Sequence, residues 1–118
     1  MPPRVYIPNR SFHDFSEAAR YGELVYLTEG LVRPGTSVNQ LYRLLDERMA
    51  GSEPEDMLLV CSLSILNAVA SSLLTHKHGA VNYLIYRQRT GSYKKYRIRL
   101  GEDDGQDYND PDPSRTDL

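Results

Sequence analysis

The stretch that most constrains this chain is Asp56 to His78, DMLLVCSLSILNAVASSLLTHKH, where the apolar period changes within a few residues. Residues 57–61 (MLLVC) are continuously apolar, which suits a central strand covered on both faces. Beyond a tight turn the spacing becomes helical over 63–75. Ile65, Val69 and Leu73 form one row and Leu66, Ala70 and Leu74 the next, giving one wide apolar face. Ser64, Asn67, Ser71 and Thr75 occupy much of the remaining surface. A strand feeding a helix through Ser62-Leu63-Ser64 aims unpaired backbone N–H groups, and the positive end of the helix dipole, at one spot.

The rest of the chain alternates in the same way. Residues 4–8 (RVYIP) read as a short strand stopped by Pro8. Asp14, with Glu17 at capping-box spacing, opens a short helix that buries Phe15, Ala18 and Ala19 and stops at Gly22. Residues 23–28 (ELVYLT) form a second strand. After a loop punctuated by Gly30, Pro34 and Gly35, Ser37 caps a helix whose buried positions are Val38, Leu41, Tyr42, Leu45 and Met49, ended by Gly51. Residues 81–87 and 93–100 flank a Thr90-Gly91-Ser92 turn and make a β-hairpin. In its second strand Tyr96, Ile98 and Leu100 face one way and Lys95, Arg97 and Arg99 the other, as on an edge defended by charge. The order β-α-β-α-β-α-β-β predicts an α/β fold: a single small domain with about five strands in a mostly parallel sheet, three helices and a C-terminal β-hairpin.

A chain of 118 residues has room for one core, and 40% hydrophobic with 25% charged residues is ordinary for a soluble protein. No apolar run approaches the roughly 20 residues that span a bilayer, and MPPRVYIPNR carries no signal-peptide apolar region. A membrane partner is not expected, and a cytoplasmic protein is. The single cysteine, Cys61, excludes an intramolecular disulfide and reads as an inert core thiol. The net charge of −2 conceals two opposite parts. Residues 101–118 hold seven acids against Arg115, whereas residues 1–100 hold 13 Lys or Arg against nine acids. The expected division is an α/β domain over 1–100 and a disordered acidic tail over 101–118.

Three constellations carry candidate chemistry. The first follows from the rule that open α/β sheets bind ligands beyond the carboxyl ends of their strands. Those ends bring Asn9, Arg10, Ser11, His13, Thr28, Ser62, Ser64 and Asn67 into consideration for a small anionic ligand such as a nucleotide. Neither GxGxxG nor a P-loop pattern is present, and Ser or Asn at a helix start is commonly a cap. The second is His13, His76 and His78. They fall at opposite ends of the sheet, with a lysine between the latter two, and assemble no metal site. There is no GxSxG elbow and no paired carboxylate outside loops and tail, so no catalytic residue and no cofactor is assigned, and the reading is non-enzymatic. The third is the hairpin. Arg87, Arg89, Lys94, Lys95, Arg97 and Arg99 are interleaved with Tyr86, Tyr93 and Tyr96, as on surfaces that hold single-stranded nucleic acid. The alternative is a solvated, tyrosine-rich edge strand.

Three stretches, VYIPNRSFHDFSEAARYGELVYLTEG, DMLLVCSLSILNAVA and KHGAVNYLIY, resemble a group of small, uncharacterised phage-encoded α/β proteins over residues 4–100. The most specific pieces are His13-Asp14-Phe15-Ser16, Tyr21-Gly22, Leu27-Thr28-Glu29-Gly30 and Lys77-His78-Gly79 with Asn82. The resemblance transfers no activity. It implies a phage origin and action in the bacterial host cytoplasm, where small phage proteins bind host proteins or signalling nucleotides and so blunt defence. A fainter likeness joins the chain to viral α/β proteins that handle cyclic oligonucleotides. Ser62 and Ser64 stand where a histidine would open the third helix, so cleavage of that kind is not implied. The expectation is a binding module for a small anionic ligand, with hairpin-borne nucleic-acid binding or inhibition of a host protein as alternatives, and with self-association through an edge strand.

Overall fold

The computed structural model describes residues 2–10, 14–30, 35–61 and 64–101. The expected tail thus lies, apart from Gly101, outside the described residues. The elements are β1 (Arg4–Ile7), a 3₁₀ turn (Ser16–Arg20), β2 (Glu23–Tyr26), α1 (Val38–Arg48), β3 (Met57–Leu59), α2 (Ser64–His78), β4 (Ala80–Arg87) and β5 (Ser92–Arg99). They build one five-stranded mixed sheet in the order β2-β1-β3-β4-β5. β1 pairs parallel with both β2 and β3, β3 pairs parallel with β4, and β5 returns antiparallel along β4.

The helix count differs from the sequence expectation: two α-helices, not three. The segment after β1 closes as a 3₁₀ turn, with Ala18 N–H donating to Phe15 O and Tyr21 N–H to Ala18 O, both at 2.9 Å. The following strand sets the limit. Glu23 N–H already donates to Pro3 O at 2.9 Å, so the chain must re-enter the sheet within a few residues. Gly22 is needed there for clearance, since a Cβ would sit 2.3 Å from Pro3 O. At the end of α2, Gly79 takes the positive φ of 70° that favours glycine, and its N–H donates to Thr75 O at 2.8 Å.

Both α-helices lie on one face of the sheet. Leu41, Leu45 and Met49 of the α1 segment meet Leu66, Val69, Ala70, Leu73 and Leu74 of α2 over Tyr6, Leu58 and Val81. Lys77 closes the layer with an ion pair to Asp46 at 3.1 Å. Three expected core residues are instead exposed: Val38, Tyr42 and Ile65. Each borders its apolar stripe, which is narrower than the spacing suggests because the two helices share one valley. The other face is covered more thinly. Val5, Ile7, Met57, Leu59 and Leu84 pack there against Phe15 and Ala18 of the short turn segment, with Tyr21 and Tyr93 at the margin.

At the amino ends of the strands a buried carboxylate fastens three segments. Asp56 is 3% exposed. It accepts from Arg4 N–H at 2.9 Å, Glu53 N–H at 2.8 Å and Tyr6 Oη–H at 3.3 Å. Asn82, 2% exposed, continues the network by donating to Pro54 O at 3.0 Å and Asp56 O at 3.1 Å while accepting from Arg97 at 2.8 Å. Asp56→Ala leaves buried donors unpaired and is expected to cost about 3 kcal/mol in urea unfolding. Asp56→Asn retains part of that loss because it keeps one acceptor.

Burial raises the Tyr6 phenol above its ordinary pKa; Arg4 opposes this and the Asp56 charge adds to it. In the unfolded chain Tyr6 ionises near pH ~10, and in the folded chain only higher. Its contribution to stability is therefore complete below about pH 10 and falls as pH rises through the folded pKa. Tyr6→Phe is expected to flatten that alkaline slope in unfolding free energies measured against pH.

Candidate functional site

The strand order places a reversal of direction beside β1. The chain leaves β1 for the outer position of β2, then crosses back to β3 on the other side of β1. The carboxyl ends of β1 and β3 flank this reversal, the kind of switch point at which open α/β sheets hold ligands. Asn9 and Arg10 follow β1, and Cys61 follows β3. The amino end of α2 begins at Ser64. Ser11, His13 and Ser62 lie outside the described residues.

The amides and hydroxyl placed here are committed to the protein itself. Asn9 is buried, and its Nδ2 donates to Thr28 Oγ1 at 2.8 Å and to Gly30 O at 2.9 Å. Thr28 Oγ1 in turn donates to Pro8 O at 2.7 Å. Asn67 reaches back one turn to accept from Cys61 N–H at 3.2 Å and to donate to Cys61 O, so it clamps the β3–α2 junction. These side chains shape the ends of β1, β2 and β3, as buried polar groups must when they have satisfied partners.

Arg10 is different. Its backbone N–H donates to Thr28 O at 2.8 Å, which fixes where the side chain starts. The guanidinium lies 4.0 Å from the Tyr26 ring centroid and its Nε is 3.1 Å from Glu29 Oε1. More than half of each side chain is exposed, 57% for Arg10 and 67% for Glu29. An exposed ion pair of this kind contributes little, about 0–1 kcal/mol, whereas the aromatic stack holds the guanidinium plane in place. The arrangement presents an exposed cation held against an aromatic ring and paired to an exposed carboxylate. Sequence reading found Arg10 and placed Glu29 at a strand end without a role, but did not find Tyr26; the parallel bridge between Arg10 and Glu29 makes them neighbours, and only the pairing of β1 with β2 reveals it. A cleft of about 500 Å³ lined by Thr28, Glu29, Leu44 and Arg48 opens beside the same strand ends, with Arg48 donating to Leu27 O at 2.7 Å.

The hairpin cations are divided by the pleat. Cross-strand partners share a face, so Tyr96 goes with Tyr83 on the helical side, and Tyr93 with Tyr86 on the thinly covered side. By alternation Lys95, Arg97 and Arg99 join Tyr93, while Lys94 stands over the Tyr96 ring at 5.4 Å on the helical side. Arg87 pairs across from Ser92, on the Lys94 side, and Arg89 sits in the connecting turn. Arg97 is held by Asn82. β5 is an edge strand, as its charges predict.

His76 and His78 end α2 at the opposite end of the sheet, where His78 Nε2 lies 2.8 Å from Ser52 Oγ. Among the described residues no group of three or more His, Cys, Asp or Glu converges on a metal-sized space, and no helix is long and apolar enough to cross a membrane. Cys61 is only partly buried.

The fold defines a small α/β protein with a five-stranded mixed sheet. The chain matches the Phage Pam3 gp32-like protein family over residues 3–100, and it belongs to that phage-encoded family. No curated protein and no solved structure matches it.

Proposed function

We propose that the protein is a non-enzymatic binding module that takes a small anionic ligand, of the nucleotide class, at the carboxyl ends of β1, β2 and β3. The observation that carries this reading is Arg10. It is stacked on Tyr26 and paired to the exposed Glu29 just beyond the carboxyl end of β1, one of the two strands that flank the switch point. A phosphate exchanging for the Glu29 carboxylate keeps the guanidinium where the stack already holds it and gains charge-assisted, bidentate hydrogen bonds. The backbone N–H groups at the start of α2 supply a second anchor for negative charge. Asn9 and Thr28 act as the frame that fixes the Arg10 backbone. In a phage-encoded protein within a bacterial host, sequestering a signalling nucleotide is a role that such a site suits.

The expected outcome in native mass spectrometry of protein purified from its bacterial host is a retained nucleotide-sized mass. Arg10→Ala should weaken its binding by tenfold or more, about 1.4 kcal/mol, and Glu29→Gln should strengthen it by removing the competing carboxylate. A wild-type mass free of ligand, together with no nucleotide binding by calorimetry, overturns the reading.

A second reading rests on one observation, that Lys95, Arg97 and Arg99 project from alternate positions of an edge strand on the thinly covered face. Single-stranded nucleic acid laid along β5 would meet these cations beside Tyr93. Its signature is affinity that falls steeply with salt, with Lys95→Ala reducing the slope by about one charge.

A further inference from the structure

A cleft of about 340 Å³ separates the 3₁₀ turn segment from the β4–β5 turn and shares no residue with the Arg10–Glu29 site. It is lined by Asp14, Phe15, Glu17, Tyr86, Gly91 and Tyr93. Its walls are of two kinds. One is aromatic: Tyr86 and Tyr93 are cross-strand partners with ring centroids 5.3 Å apart at 69°, and Tyr21 buttresses Tyr93 edge-on at 6.3 Å. Tyr86 remains 49% exposed. Gly91, at a φ of 64°, turns the chain beside the Tyr86 hydroxyl, where a Cβ would stand 3.9 Å from it.

The other wall is acidic. Asp14 accepts from Ser16 N–H at 2.9 Å, and that bond holds its pKa below the ordinary carboxylate value, so it is ionised. Glu17 lies one turn further along. Burial first, then the Tyr86 phenol, then the charges of Glu17 and Asp14 all push the Tyr93 phenol upward. Both carboxylates therefore act on Tyr93. Anions are repelled from such a space. A cation gains twice, from the negative faces of the rings within about 6 Å and from the carboxylates. The volume is at the low end of the roughly 300–1,000 Å³ of ligand pockets, which admits a group the size of one side chain.

We propose that this cleft is a binding site for an organic cation, an alkylammonium or guanidinium group held against Tyr86 and Tyr93 by Asp14 and Glu17. Two sources share that chemistry: a lysine or arginine side chain of a protein partner, and a free polyamine.

The test is NMR on the full chain, following the tyrosine ring signals during titration with a short arginine- or lysine-containing peptide and, separately, with spermidine. Saturable shifts confined to Tyr86, Tyr93 and Tyr21, weakened at least tenfold in Glu17→Gln and in the Asp14→Asn, Glu17→Gln double variant, are expected. Unchanged amide signals elsewhere establish that the variants fold. Tighter binding of the peptide assigns a protein partner, and tighter binding of spermidine assigns a polyamine. No saturable shift with either probe, or shifts equal in wild type and double variant, overturns the proposal.

Discussion

The sheet depends on how a buried carboxylate is satisfied. Asp56 sits at the entrance to β3, and a carboxyl group so deeply placed is tolerable only with its acceptor sites filled. Its donors come from the start of β1, from the tyrosine two residues along β1, and from the turn that leads into β3 itself. That choice of donors fixes the register of β1 against β3, where Val5 faces Met57 and Tyr6 faces Leu58. Asn82 extends the constraint to β4, and through Arg97 to β5. One slip of register would leave the carboxylate or the amide without partners, in addition to turning every side chain to the wrong face. The amino ends of β1, β3 and β4 are thereby locked together.

The same network explains why the two faces of the sheet are unequal. The chain makes its first crossover, from β1 to the adjacent β2, over one face and its two longer crossovers, through α1 and α2, over the other. Among the described residues of the first connection the helical element is a 3₁₀ turn, so this face is covered more thinly. At the margin of that turn the sheet presents Tyr86 and Tyr93, and further along the same face Lys95, Arg97 and Arg99. The acidic cleft and the cationic strand are therefore neighbours on one face, divided by the tyrosine pair, because the residues of the turn segment bring acids to one end of a basic hairpin.

Much of this was legible in the sequence where a single period governs. The change of period at Ser62–Ser64, the alternation of β5 and the 3-4-7 spacing after Ser37 each specify an element locally, and each element is present within a few residues of its expected bounds. What was not legible depends on pairing between distant segments. Asp56 reads as a loop acid before an apolar run, and only the approach of β1 makes it a hub. Asn82 reads as one polar residue in VNYLIY, a signal that a buried partner was needed, but without the identity of that partner. Asp14 looks like a helix cap. Its Oδ1 does bind a nearby backbone N–H, yet the turn it precedes is too short to be the expected helix, and its other consequence appears only once β4 and β5 lie alongside. Val38, Tyr42 and Ile65 fail for a related reason: periodicity marks which side of a helix is apolar, whereas the width of the buried stripe is set by how close the neighbouring helix comes.

The candidate ligand residues separate along the same physical line. Asn9, Thr28 and Asn67 stand where sequence reasoning placed them, and each has its hydrogen-bonding capacity directed at backbone a few residues away or across the adjoining strand end. A side chain so engaged gives little to a ligand unless the loop it ties is released, which would expose buried polar groups at about 1–3 kcal/mol each. Arg10 carries no such obligation. Its charge is met by an exposed carboxylate that water and salt already weaken, and its plane is held by a ring that no anion competes for. The strand ends thus join side chains that are satisfied internally to one oriented cation that is only loosely satisfied.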